Sequence, residues 1–210
     1  MTYDPHKHRQ IKICVSGAAE TSKCGPRAFE VAKETGREIA RQGATIVTGA
    51  TTGFPLWAAI GAVEAGGQSI GISPAASERE HIEAYRLPVY YMYLIVYTGF
   101  GYSGRDLILT RSGDAVIFGC GRIGTIHEFT IAFEDNKPIG VLEGEWVMDE
   151  TIRTILDRSN RSHNKVIFDT NPKNLVARVI ELAKKDKLEN KMTYSYRLDE
   201  SDLPAADVRG

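Results

Sequence analysis

Short apolar runs alternate with amphipathic segments along most of this chain. The run IKICVSG, residues 11–17, closes on glycine and predicts a buried strand. Over 26–43, Phe29, Val31, Ala32, Ile39 and Ala40 fall on a helical period, with Pro26 near the start and Gly43 past the end. The same reading predicts strands at 44–50, 68–74, 90–98, 114–121, 137–143 and 165–169. Helices are predicted at 53–67, 103–113, 124–135, 149–159 and 171–188. Strands that alternate with helices signal βαβ units, and right-handed crossovers then place helices on both sheet faces. The expected fold class is α/β, a Rossmann-like three-layer sandwich with a mostly parallel sheet. Residues 1–10 read as a polar extension, 11–188 as one domain, and 189–210 as a polar tail, loosely ordered or docked on a partner subunit.

Composition changes this picture little. The 210 residues are 42% hydrophobic and 25% charged, with a formal net charge of -1. That balance carries no global electrostatic footprint for nucleic acid or an anionic membrane. The longest apolar stretch, near Pro88 to Val96, is too short to span a bilayer, and the polar start MTYDPHKHRQ lacks the apolar core of a signal peptide. A soluble, cytoplasmic protein is expected. Cys14, Cys24 and Cys120 are an odd, widely spaced set that fits reduced thiols better than a disulfide framework. No metal site and no cofactor are expected; His6 and His8 sit in the polar start, and Cys14 in a core strand.

Chemistry gathers at the strand ends. Ligands of open α/β sheets bind beyond the carboxyl ends of the strands. Four predicted strands end in glycine-containing loops, at Gly17, at Gly49 and Gly53, at Gly99 to Gly104, and at Gly119 to Gly124. Glycine lets backbone approach a ligand, and a helix start offers free N–H groups to phosphate. A βα turn also uses glycine for its own sake, but four such loops on one edge favour a phosphate-bearing ligand. Neither G-x-G-x-x-G after the first strand nor G-x-x-x-x-G-K-[ST] occurs, which disfavours a standard dinucleotide site and a P-loop. Arg105 and Glu128 both stand near predicted helix starts on this edge. The arginine is suited to clamp an anion and the glutamate to act as a base or stabilise positive charge. A surface ion pair and a helix-dipole carboxylate are the plain alternatives.

The stretch GRDLILTRSGDAVIFGCGRIGTIHEFTIAFEDNKPIGVL resembles the core of the LOG (lonely guy) family within the wider SLOG nucleotide-binding superfamily. That family carries an arginine ahead of a helix, an aspartate opening a strand, then P-G-G-x-G-T-x-x-E; Arg105, Asp114 and Glu128 match its spacing. TGFGYSGRD is similar to the form in the branch that includes a molybdenum-cofactor carrier protein. The resemblance covers roughly residues 11 to 187. It implies a Rossmann-like sheet, a homodimer or larger assembly such as a tetramer, and phosphoribohydrolase activity that cleaves the N-glycosidic bond of a nucleoside 5′-monophosphate to free base and ribose 5-phosphate. By matched position Arg105 and Glu128 would be catalytic. Gly17, Gly49, Gly53, Gly121, Arg122, Ile123, Gly124 and Thr125 would hold phosphate or nucleotide. The alternative is a non-catalytic carrier or sensor of a phosphorylated ligand.

Three residues depart from the family pattern: Cys120 for the proline, Arg122 for the second glycine, and Asp106 for the lysine or asparagine after the arginine. Arg122 puts a bulky cation where the family keeps bare backbone, and Asp106 would repel an adjacent phosphate. His127 is expected at the surface, since neighbouring helix positions diverge by about 100°. Tyr90, Tyr91, Tyr93 and Tyr97 read as an aromatic strand in the core or a subunit interface, with Tyr97 and Tyr102 near enough to the edge to touch a base.

Overall fold

The computed structural model describes residues 10–193, with side chains to 188. Seven parallel strands form one sheet in the order β4-β3-β2-β1-β5-β6-β7. They are β1 (Lys12–Ser16), β2 (Thr45–Thr48), β3 (Ser69–Ser73), β4 (Leu94–Tyr97), β5 (Ala115–Phe118), β6 (Ile139–Leu142) and β7 (Val166–Asp169). The helices are α1 (Ala28–Arg41), α2 (Phe54–Glu64), α3 (Glu78–Glu83), α4 (Gly101–Ser112), α5 (Ile123–Glu134), α6 (Met148–Arg158) and α7 (Pro172–Thr193). The Rossmann-like α/β fold is thus the observed one.

The central strands β1, β2, β5 and β6 are buried at nearly every position, as strands covered on both faces must be. Helices α1, α2 and α7 pack together over one face, while α4 and α5 pair over the other. α1 and α2 approach until backbone touches backbone. A Cβ added at Gly36 would stand 1.8 Å from Ala58 O, and one at Gly61 1.9 Å from Lys33 O. The alanine-rich face of α2 allows that approach. Phe54, fully buried, fills the space above β1 and β5 and leaves room only for glycine at 17 and 119.

α3 lies in the stretch without a clear period. Six residues are too few to show one, but Ser77 caps the helix by accepting from Glu80 N, and buried His81 joins Ser73 Oγ to Pro88 O. The strand expected over 90–98 shortens to β4, at the sheet edge, and Tyr90 and Tyr91 lie in the turn before it. Tyr90, Tyr91 and Tyr93 are exposed in the single chain rather than buried in its core. α7 runs on to Thr193, into the stretch expected to be a polar tail; the rest of that tail and the extension 1–9 lie outside the described residues. Among the described residues no helix is long and apolar enough to cross a membrane, and no cluster of three His, Cys, Asp or Glu could hold a metal ion.

One expectation is overturned. Cys24 and Cys120 form a disulfide, with Cα atoms 5.6 Å apart, and only Cys14 is free. The loop after β1 folds over the end of β5, where Ala18 N donates to Cys120 O, and brings together cysteines separated by 96 residues. Spacing along the chain carries no trace of that crossing.

Candidate functional site

The strand order reverses between β1 and β5, and a cavity of about 440 Å³ opens above their carboxyl ends. Its wall is built by the loop after β1 (Gly17 to Glu20), Gly49 and Thr51 after β2, Tyr102, Arg105, Asp106 and Leu109 of α4, and Arg122 to Thr125 with Glu128 at the start of α5. Each group arrives at the end of a different strand, which is how a parallel sheet gathers distant residues.

Arg105 and Glu128 come together as their positions suggested. Arg105 Nη1 lies 3.5 Å from Glu128 Oε1, and both side chains are more than nine-tenths buried. Ser16, the last residue of β1, donates its hydroxyl to Glu128 Oε2. Asp106 Oδ1 stands 3.5 Å from Arg105 Nε, and that buried nitrogen makes no hydrogen bond among the described residues. Tyr102 lies under the guanidinium, 5.7 Å from ring centre to Cζ. Burial pushes the Glu128 carboxyl up to about 8. Arg105 and the Ser16 hydroxyl oppose that rise, whereas the negative charge of nearby Asp106 adds to it. Near neutral pH Glu128 is therefore mostly a neutral acid with a proton to give.

The start of α5 presents backbone to the cavity. The first helical N–H groups lack intrahelical acceptors by construction, and they bear partial positive charge. Gly124 has open space where a Cβ would be, and Ile123 is exposed. Thr125 is buried, and its hydroxyl accepts from Arg122 N at 3.4 Å, so it fastens the turn. Arg122 does not fill the cavity. Its side chain is 69% exposed and reaches toward Glu20, 3.9 Å away.

Not every expected glycine faces this space. Gly17, Gly49 and Gly124 line it; Gly53 and Gly121 do not. Gly53 adopts φ 72, and a Cβ there would meet Ala18 O at 2.2 Å, so it is needed for the chain's own path into α2. Gly121 packs on Thr125 and lines a neighbouring depression beside the disulfide. Asp114, which matches the aspartate of the motif, lies at the opposite end of the sheet. It accepts from Lys12 N and pairs with Lys187 of α7. Asp106 lines the cavity and accepts from His127 Nδ1 at 2.9 Å. Sequence reasoning missed this contact and that of Ser16. The signal for Ser16 was a hydroxyl in the last position of an otherwise apolar strand.

A sheet with its reversal at β1/β5, a helix start facing the cavity and a buried Arg–Glu pair define a Rossmann-like ligand-binding protein. The family model described as SLOG cluster4 matches residues 10–176, and the chain belongs to that family. Its structure is similar to the molybdenum cofactor binding protein of the phototrophic bacterium Rippkaea orientalis, at 28% identity and TM-score 0.67, covering 86% of this chain and 99% of that one. It is also similar to the molybdenum cofactor carrier protein of Chlamydomonas reinhardtii, at 25% identity and TM-score 0.66, covering 84% and 99%. A protein of Archaeoglobus fulgidus is 26% identical over 66% of this chain and 86% of its own. DNA processing protein A of Helicobacter pylori, at 17% identity and TM-score 0.59 over 81% of this chain and 80% of its own, shares the fold.

Proposed function

We propose that the cavity binds a nucleoside 5′-monophosphate and that the protein is a phosphoribohydrolase. The observation that carries the proposal is the buried Arg105–Glu128 pair, 3.5 Å apart, within the cavity at the start of α5. Phosphate would sit on the free N–H groups of α5, where Gly124 leaves bare backbone. As the bond between C1′ and the base breaks, Glu128 would give its proton to the leaving base. The carboxylate so formed, beside Arg105, would stabilise the positive charge growing at C1′. Water would then bond to C1′ and return a proton to Glu128, so that base and ribose 5-phosphate leave and the acid is restored. No cofactor enters this scheme, and the ligand is a small molecule rather than a nucleic acid. Incubation of the purified protein with a panel of nucleoside monophosphates tests it, with free base and ribose 5-phosphate expected. Failure of every member of the panel would sink it.

A second reading, a carrier of an intact phosphorylated cofactor, is favoured by the likeness to the two molybdenum-cofactor proteins. An intact pterin or nucleotide retained through purification would support it. Either reading suits a homo-oligomer. Tyr93, Leu94, Val96 and Phe100 form an exposed apolar patch along the edge strand β4 and its following loop, and a second copy would cover it.

A further inference from the structure

The loop between β4 and α4 is pinned to the end of β3. Gly99 N donates to Ala75 O, and Gly101 N to Pro74 O. Gly101 adopts φ 62, a left-handed conformation that suits glycine, and the next residue, Tyr102, lies in the first turn of α4. Two neighbours then fix the Tyr102 ring. Tyr85 meets it edge-on at 5.5 Å, with the ring planes 77° apart. The Arg105 guanidinium, one turn further along α4, lies 5.7 Å from its centre. Tyr102 is nevertheless 49% exposed, and it forms part of the cavity wall. Pro55 of α2 and Ile123 of α5 add apolar surface to the same wall. Tyr97, the other tyrosine expected near this edge, packs on His81 and is not part of that wall.

We infer that Tyr102 is the platform on which the ligand stacks a flat nitrogen heterocycle. The inference rests on phosphate binding at the start of α5, as proposed above, and it says what the other end of the ligand must be. Contacts run in order along the wall. Gly124 and Glu128 stand about 6 Å apart along α5, one helical turn. Arg105 reaches Glu128 at 3.5 Å on one side and the Tyr102 ring at 5.7 Å on the other. Phosphate at Gly124 and C1′ at Glu128 leave the base beside Tyr102, the order in which a nucleotide carries those groups. A phosphorylated pterin has the same two ends, so the platform serves either source of the heterocycle. Stacking uses the π-face that every such ring offers, and it needs no particular pattern of hydrogen bonds. A ring already held by Tyr85 and Arg105 loses little freedom when a ligand covers it.

Calorimetry on the full chain tests this with three probes. One is the carbocyclic analogue of adenosine 5′-monophosphate, which does not lose its base to water. The others are neopterin monophosphate and ribose 5-phosphate, which has no heterocycle. Tyr102→Leu keeps an apolar side chain and removes the ring. It should weaken whichever heterocyclic probe the natural protein binds by roughly tenfold to a hundredfold and leave ribose 5-phosphate binding unchanged. Tyr102→Phe keeps the ring and should stay within about threefold of the natural protein. Proton NMR adds a direct reading. Heterocycle protons of the bound probe should move upfield under the Tyr102 ring current, and Tyr102→Leu should abolish that shift. Equal weakening of all three probes would mean that the ring only holds Arg105 in place, and it would overturn the inference. Heterocycle shifts that survive Tyr102→Leu, or failure of both heterocyclic probes to bind the natural protein, would overturn it too. Binding of the adenosine analogue alone assigns the heterocycle to a nucleotide, and binding of the pterin alone to a pterin. The hydrolytic reading is judged apart. Ring-dependent binding without cleavage of any nucleotide sinks hydrolysis and keeps the platform. Cleavage with the same KM in Tyr102→Leu keeps hydrolysis and sinks the platform.

Discussion

The guanidinium of Arg105 occupies the place where residue 49 would carry a side chain. A Cβ at Gly49 would stand 1.7 Å from Arg105 Nη1. The glycine after β2 is therefore required by a residue on α4, and the two together set the distance to Glu128. Gly49→Ala should push the guanidinium out of line. The far end of a long side chain can move at small cost, so a stability loss of about 1 kcal/mol is expected. Nucleotide affinity, measured by calorimetry, should fall far more than the melting temperature.

Glu128 supplies a pH signature. Its folded value is raised from 4.5 to about 8, so the folded protein holds a proton that the unfolded chain releases. The contribution to stability is fully present below pH 4.5 and is lost as pH rises through about 8. Glu128→Gln keeps the shape and removes the titration. Urea unfolding at a series of pH values should show a shallower fall between those limits in the variant. If turnover is present, the same change should reduce it by about a hundredfold or more, since amide cannot donate an acid proton.

The Cys24–Cys120 disulfide closes a long loop, its two ends separated by 96 positions along the chain. Reduction frees the unfolded chain and should cost about 2–5 kcal/mol. Thermal unfolding with and without a reductant measures this, and Cys24→Ser should make the protein insensitive to the reductant. The loop that carries Gly17 to Glu20 is held against the start of α5 by this bond, so ligand affinity should weaken alongside stability.

The β4 patch predicts assembly. Tyr93 is 78% exposed and Leu94 51%, on an edge strand whose apolar side chains have no cover in the single chain. Tyr93→Glu with Leu94→Glu should shift the protein toward monomer in analytical ultracentrifugation. Stability of the single chain should change by less than about 1 kcal/mol, because exposed positions contribute little to it.

Helix–helix contact gives a control far from the cavity. Gly61→Ala would force its new Cβ against Lys33 O, which is backbone and cannot swing aside. A loss of about 1–3 kcal/mol is expected from chemical denaturation, with ligand affinity retained in the folded fraction.

All seven strands were legible in the sequence, and the central four most plainly, because strands buried on both faces write themselves as continuous apolar runs. The α3 helix was not, since six residues and one serine cap leave no period to read. Arg105 and Glu128 were legible by their places near helix starts. Glycine was harder to interpret. Gly17 and Gly119 answer to the Phe54 ring, and Gly53 to the path of the backbone, reasons no local pattern distinguishes from ligand approach.

The sequence by itself determined the succession of strands and of every helix but α3, the parallel α/β class and the edge on which Arg105 and Glu128 meet. These depend on local periodicity and on the handedness of crossovers, both written within a few residues. Tertiary structure alone decided which side chains surround the glutamate. Ser16 reaches it across 112 residues, and Cys24 finds Cys120 across 96. Asp106 and His127 meet only because α4 and α5 pack side by side. Such pairings are set by the packing of whole elements, and the charge state of a buried acid follows from that packing.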